Sequence, residues 1–221
     1  MPGMLRVEFH CHTIFSKDCL VRMEALLAVA RRRGIDRLVI TDHNRTGGAL
    51  AAQALDPQRV IIGEEIMTEQ GELLAAYVQE EIPRGLPAQE AIRRLRAQGA
   101  FISVSHPFDA QRNGAWALPD LLEIAPLVDA IETYNARCLN ETPNLQAQAF
   151  AREHNLGGTA GSDAHTLHEV GRATLVLPDF STPAELKLAL PAARLEAQLS
   201  GWWVHFASTG ARLLKKTRLF Q

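Results

Sequence analysis

The sequence has no run of about 18 apolar residues, the length an α-helix needs to cross a bilayer, so no helical membrane span is expected. Cysteine is scarce. Cys11, Cys19 and Cys138 are odd in number and form no CxxC pair, which argues against both a disulfide framework and a thiolate zinc site. Net charge is almost absent, at a formal -2, so nothing draws the whole molecule toward nucleic acid or an anionic membrane. No GxSxG occurs, and so no serine-hydrolase nucleophile is signalled. The opening MPGMLRVEFHCH lacks the basic region, long apolar stretch and small-residue cleavage site of a signal peptide. Together these absences lead to the expectation of a cytoplasmic protein with reduced thiols.

What is present is a rhythm. Apolar, β-branched runs alternate with amphipathic helical patterns across 221 residues, of which 47% are hydrophobic. LRVEF (5–9), RLVIT (37–41), RVIIG (59–63), GELLAAYV (71–78), AFISVS (100–105), VDAIETY (128–134), LGGTAGS (156–162) and ATLVL (173–177) read as strands. Between them, VRMEALLAVARRRG (21–34), PAQEAIRRLRAQG (87–99) and NLQAQAFAREHN (144–155) read as helices. Repeated βα units imply an α/β fold, a parallel sheet with helical crossovers and hence a βα barrel or something close to one. The expected division is a single barrel domain over 1–200, with 201–221 as a C-terminal extension forming a helix packed on it.

In such a fold the chemistry gathers where strands end. HCH at 10–12 puts two imidazoles on one face of the first strand, with Cys11 turned toward the core, and Asp18 follows in the loop. RLVIT runs out into Asp42 and His43, RVIIG into Glu64 and Glu65, and AFISVS into His106. Glu132 and Arg137 flank the end of VDAIETY, while Asp163 and His165 follow GGTAGS. Five of the eight histidines thus fall at strand exits with carboxylates nearby. Metal ligation explains that agreement better than chance. His154 at a helix end reads as a dipole-complementing surface residue, and His205 as structural.

HCHTIFSKD, ITDHN, GEEIMT, SHP and GSDAH, in this order over 10–165, resemble the polymerase and histidinol phosphatase (PHP) domain family. The resemblance implies a single-domain, distorted (β/α)7 barrel holding two or three divalent metal ions (Zn, Mn or Fe) at its strand ends. It further implies that His10, His12 and Asp163 hold one metal, that Glu65 bridges to a second bound by His106, and that Asp18, His43 and His165 hold a third. Glu72 is the first choice for the remaining ligand of the second metal, with Glu132 in reserve. Glu64 is expected outside the ligand set.

The implied activity is that of a free-standing phosphoesterase. It would hydrolyse a small-molecule or nucleotide phosphate ester by a metal-activated hydroxide. Asp163, His165, His43 and Arg137 form the expected catalytic set. Arg137 and Arg112 are the expected donors to substrate phosphate, because guanidinium recognises phosphate bidentately. Two other readings remain: an amidohydrolase-type hydrolase, weakened because FISVSH offers no bridging lysine, and a non-catalytic PHP module.

Overall fold

The computed structural model describes residues 3–217. The chain runs from β1 (Met4–Cys11) through α1 (Met23–Arg32), β2 (Arg37–Ile40) and α2 (Gly47–Leu55) to β3 (Val60–Met67). It then forms β4 (Glu72–Ala76), α3 (Ala88–Ala97), β5 (Phe101–Val104), α4 (Leu118–Ile124) and β6 (Ala130–Asn135). The last elements are α5 (Thr142–Glu153), β7 (Gly157–Gly161), β8 (Ala173–Pro178), α6 (Pro183–Ala189), β9 (Arg194–Ala197) and α7 (Val204–Lys216). The helices follow from amphipathic spacing: α1 buries Leu26, Leu27, Val29 and Ala30, and α3 buries Ala88, Ala91, Ile92 and Leu95. Of the helices, α6 has the most complete cap, with Thr182 and Glu185 exchanging bonds in a capping box. No described helix is long and apolar enough to cross a membrane.

The strands form one sheet in the order β7-β6-β5-β4-β3-β2-β1-β8-β9. The expected all-parallel pairing fails at β4, which runs antiparallel to both β3 and β5. The four residues between β3 and β4, Thr68 to Gly71, make a tight turn in which Thr68 N–H donates to Gly71 O at 3.0 Å. A parallel crossover needs a dozen residues or more, so this link can only reverse the chain.

Strands β1 to β7 curve into a distorted barrel that closes at its carboxyl end. There Asp163 N–H donates to His10 O at 2.8 Å, and His12 N–H donates to Ala164 O at 3.0 Å. At the other end, Met4–Val7 of β1 pair antiparallel with β8 instead. β1 therefore carries two different neighbours along its length. Close approach of β7 requires Gly161, since a Cβ there would lie 2.2 Å from His10 Cβ.

A bulge in β1 positions the site. Its register against β2 shifts between Glu8 and Cys11. Phe9 accordingly packs with Val39, Ala76 and Phe101, whereas Cys11 joins Leu26 and Ile40 beneath α1. Strict alternation would have kept Phe9 and Cys11 together. The bulge re-aims the HCH segment at the barrel mouth.

Candidate metal centre

Glu65, at the end of β3, is the hub of the barrel mouth. Its Oε1 lies 3.3 Å from both His10 Nε2 and His106 Nε2. Its Oε2 lies 3.4 Å from His12 Nε2 and 2.9 Å from His43 Nδ1. Asp163 Oδ1 faces His12 Nε2 at 3.2 Å and His10 Nε2 at 3.7 Å. On the outer side, Asp18 Oδ1 stands 3.5 Å from His43 Nε2 and 3.4 Å from His165 Nε2. Glu72 completes the opposite edge, with Oε2 3.5 Å from His106 Nε2 and Oε1 3.9 Å from His43 Nδ1. All nine sequence-expected ligand residues thus meet in one place, and all but Asp18 and His43 are buried.

A second layer of side chains orients these imidazoles. His10 Nδ1 meets Glu132 Oε1 at 2.9 Å, and Glu132 Oε2 accepts from His106 N–H and Asn135 Nδ2. Both Glu132 oxygens are therefore engaged behind the cluster. His12 Nδ1 meets Ser16 Oγ at 3.1 Å, and that hydroxyl donates to Asp42 Oδ1 at 2.5 Å. Asp42 also accepts from Thr13 N–H at 2.7 Å, so it braces the loop while His43 faces the cluster. Pairing Nδ1 in this way leaves Nε2 of His10 and His12 free to bind a cation. Sequence reasoning missed Ser16, Asn135 and this role of Glu132. A serine four residues after His12 gives no signal until the loop has folded.

Burial opposes charge on Glu65 and Asp163, yet both are held well below the ordinary carboxylate range. His10 and His43 outweigh burial at Glu65; Arg112 and His10 do so at Asp163. His12 is pushed down to about 4 by burial and by the neighbouring His165 and His43. Asp18 Oδ1 and Glu65 Oε2 are buried without a hydrogen-bond donor. Unpaired carboxylate oxygens facing imidazole nitrogens form a donor set that fits divalent metals. Three groups bring one ligand atom per residue within 4.8 Å of one another: His10, His12 and Asp163; His12, His43 and His165; and His43, Glu65 and Glu72. Asn44, His106 and Asp163, three of the five non-glycine residues with positive φ among the described residues, lie in or beside these groups, at 53°, 20° and 51°.

The two arginines part company. Arg112 Nη1 lies 2.9 Å from Asp163 Oδ2, and its Nη2 is buried without a partner. Arg137, expected to reach substrate, is only 3% exposed and is spent on the protein. Its Nε faces Glu169 Oε1 at 3.2 Å, Nη1 contacts His165 Nδ1, and Nη2 donates to Ser208 Oγ at 2.9 Å. The guanidinium is thus enclosed by Glu169, His165, Ser208 and the carbonyl of Val204. Glu64 points away from the cluster and accepts from Ile82 N–H at 3.0 Å. His154 packs against Phe150 with the rings tilted, and His205 Nε2 reaches Arg137 O at 3.1 Å.

Comparison with known proteins gives the family. The PHP domain family matches residues 8–107, and the PHP-associated family matches residues 141–194. An uncharacterised protein of Methanocaldococcus jannaschii is 36% identical over 180 residues, 80% of this chain and 72% of that protein. The chain belongs to the PHP family. Among solved structures, a two-domain Bacteroides vulgatus protein containing a predicted PHP-like metal-dependent phosphoesterase superposes with a TM-score of 0.70 at 19% identity. That match covers 89% of this chain and 66% of the Bacteroides chain. PsfC of Pseudomonas syringae superposes at 0.66 and 16% identity, over 98% of this chain and 100% of its own. At these identities the superpositions bear on the fold, and it is the PHP barrel.

Proposed function

We propose that this PHP protein is a metal-dependent phosphoesterase acting on a small-molecule or nucleotide phosphate ester. The observation that carries the reading is the placement of Glu65, with two imidazole nitrogens on each carboxylate oxygen. A carboxylate so flanked suits a bridge between two cations. His10, His12 and Asp163 would hold the first, and His106 with Glu72 the second. Asp18, His43 and His165 would hold a third. When bound, such metals lower the pKa of a water and neutralise phosphoryl charge.

The chain's own residues do the rest. Glu132 and Ser16 keep Nε2 of His10 and His12 aimed inward. Arg112 offers its unpartnered Nη2 to a non-bridging phosphoryl oxygen, a charge-assisted contact that orients the ester. With two cations bound, His43 and His165 stay available to return a proton to the leaving oxygen; with three they are ligands. The three unpaired thiols among the described residues support the cytoplasmic reading.

The test is hydrolysis of an aryl phosphate by protein loaded separately with Zn²⁺, Mn²⁺ and Fe²⁺. Hydrolysis that requires metal is expected. Arg112→Ala should lower kcat/KM by about 1.5–3 kcal/mol while metal content is retained. No hydrolysis with any of the three metals, in protein shown to bind them, would overturn the reading.

A further inference from the structure

Helix α7 turns an apolar face to solvent. Phe206 and Leu213 lie two turns apart on one side of it, 69% and 59% exposed, while Val204 and Ala211, offset from them by two residues, are buried against the barrel. Trp202 and Trp203 precede the helix and are exposed as well, and Trp202 meets Phe206 edge-on with ring centroids 5.6 Å apart. With Leu214, five exposed large apolar side chains thus fall within 202–214. Scattered singly such residues are ordinary; gathered on one helix they mark a contact surface. The helix is held on the barrel by its other side. There Arg137 donates to Ser208 Oγ, His205 Nε2 meets Arg137 O, and Lys215 Nζ donates to the carbonyls of Ile14 and Ser16.

The charge around this face is of one sign. Over 197–221 there is no aspartate or glutamate, the longest stretch of the chain without one, while Arg212, Lys215, Lys216 and Arg218 are positive. The rest of the chain carries the other 19 of the 23 Lys and Arg against all 25 Asp and Glu, a formal -6. Arg212 and Lys216, four residues apart and exposed, flank the apolar face. We infer that α7 docks on an anionic lipid surface, with its apolar face in the headgroup layer and its cations on the lipid charges. Such a helix lies on a membrane and does not cross it. Anionic headgroups match Arg212 and Lys216, the acyl boundary takes Phe206 and Leu213, and tryptophan suits the level between them. A second copy of the chain fits less well. A symmetric contact through α7 would set these cations against their own counterparts, with no carboxylate in either segment to offset them. Because Lys215 ties α7 to the loop after β1, docking would hold the barrel mouth beside the lipid.

The experiment is co-sedimentation of the full chain with vesicles of phosphatidylcholine, alone or with about 30% phosphatidylserine. Binding to the anionic vesicles should be at least about tenfold tighter than to the neutral ones, since each exposed cation adds to it. The preference should shrink as salt rises. Tryptophan emission should shift to the blue on binding, because Trp202 and Trp203 leave water while Trp116 is already buried. Phe206→Ser/Leu213→Ser should abolish binding, and Arg212→Gln/Lys216→Gln should remove most of the preference for anionic vesicles. All four side chains are exposed, so both variants should keep the wild-type circular dichroism. No binding to anionic vesicles at low salt would overturn the inference, as would equal binding to both compositions. Undiminished binding by either double variant would overturn it too. A dimer that Phe206→Ser/Leu213→Ser dissolves, found in place of vesicle binding, would show the face to be a self-contact. Retention of duplex DNA in place of vesicles would make the partner a nucleic acid, and either result would overturn the lipid assignment.

Discussion

Arg137 Nε lies 3.2 Å from Glu169 Oε1, and both side chains are buried, 3% and 1% exposed. Glu169 Oε2 in turn accepts from the backbone N–H of His165 and of Thr166, at 3.1 and 2.9 Å. The pair therefore clamps the GSDAH loop to the end of β6, and Ser208 joins α7 to the same guanidinium. Its work is to hold His165 in place.

Arg137→Ala should destabilise the protein by about 3–5 kcal/mol, because it strands the Glu169 carboxylate in the interior. Thermal denaturation should show a fall in Tm of roughly 10 °C for a chain of this size. Arg137→Met/Glu169→Gln should recover a large part of it, since no uncompensated charge remains. A stable Arg137→Ala protein with only a raised KM would return Arg137 to substrate contact.

Chelation should cost stability. Each metal held at a hundredfold over its Kd contributes about 2.7 kcal/mol, so stripping should lower Tm by roughly 5–10 °C per site. Elemental analysis of untreated protein should find at least two transition-metal ions per chain. His10→Ala and Asp163→Ala should fall below that while circular dichroism stays unchanged. A chelated protein that melts at the original temperature would count against the centre.

Gly114 faces Glu72, and a Cβ at that position would lie 2.0 Å from Glu72 Oε2 and 2.6 Å from its Cγ. Gly114→Ala should push Glu72 out of the cluster. Loss of one metal per chain, with little change in fold, is the expected result by elemental analysis. Glu132→Gln should instead weaken binding of the metal that His10 holds, since it alters the partner of His10 Nδ1.

Glu64 supplies a pH dependence outside the ligand set. Burial raises its carboxyl from 4.5 to about 8, against the opposing bond from Ile82 N–H. The folded state thus holds a proton that the unfolded state releases, and stability must fall as pH rises from about 4.5 to about 8. Glu64→Gln should flatten that decline and leave the variant more stable than the parent at pH 8.5, by on the order of a few kcal/mol. Urea unfolding of metal-free protein at pH 5.5 and 8.5 measures it. An unchanged slope would show that Glu64 is ionised throughout.

The candidate ligand residues stood out in the sequence because a strand exit is marked by the end of an apolar run. Of the adjacent pairs Asp42/His43 and Glu64/Glu65, it was the resemblance to the PHP family that implied which member belongs to the cluster. The clusters contain residues so marked. Other choices lay beyond local rules. Glu72 and Glu132 look alike as carboxylates on strands, and only the reversal of β4 brings Glu72 against His106, while Glu132 lands behind His10. Arg112 and Arg137 both follow strands, and a guanidinium on a long flexible stem can reach either way. Its direction was decided by Glu169 and Ser208, which approach from β7's loop and from α7. Sequence determined which residue types stand at the barrel mouth; the tertiary structure decided which of them face one another in the cluster, because facing is set by partners brought from distant parts of the chain.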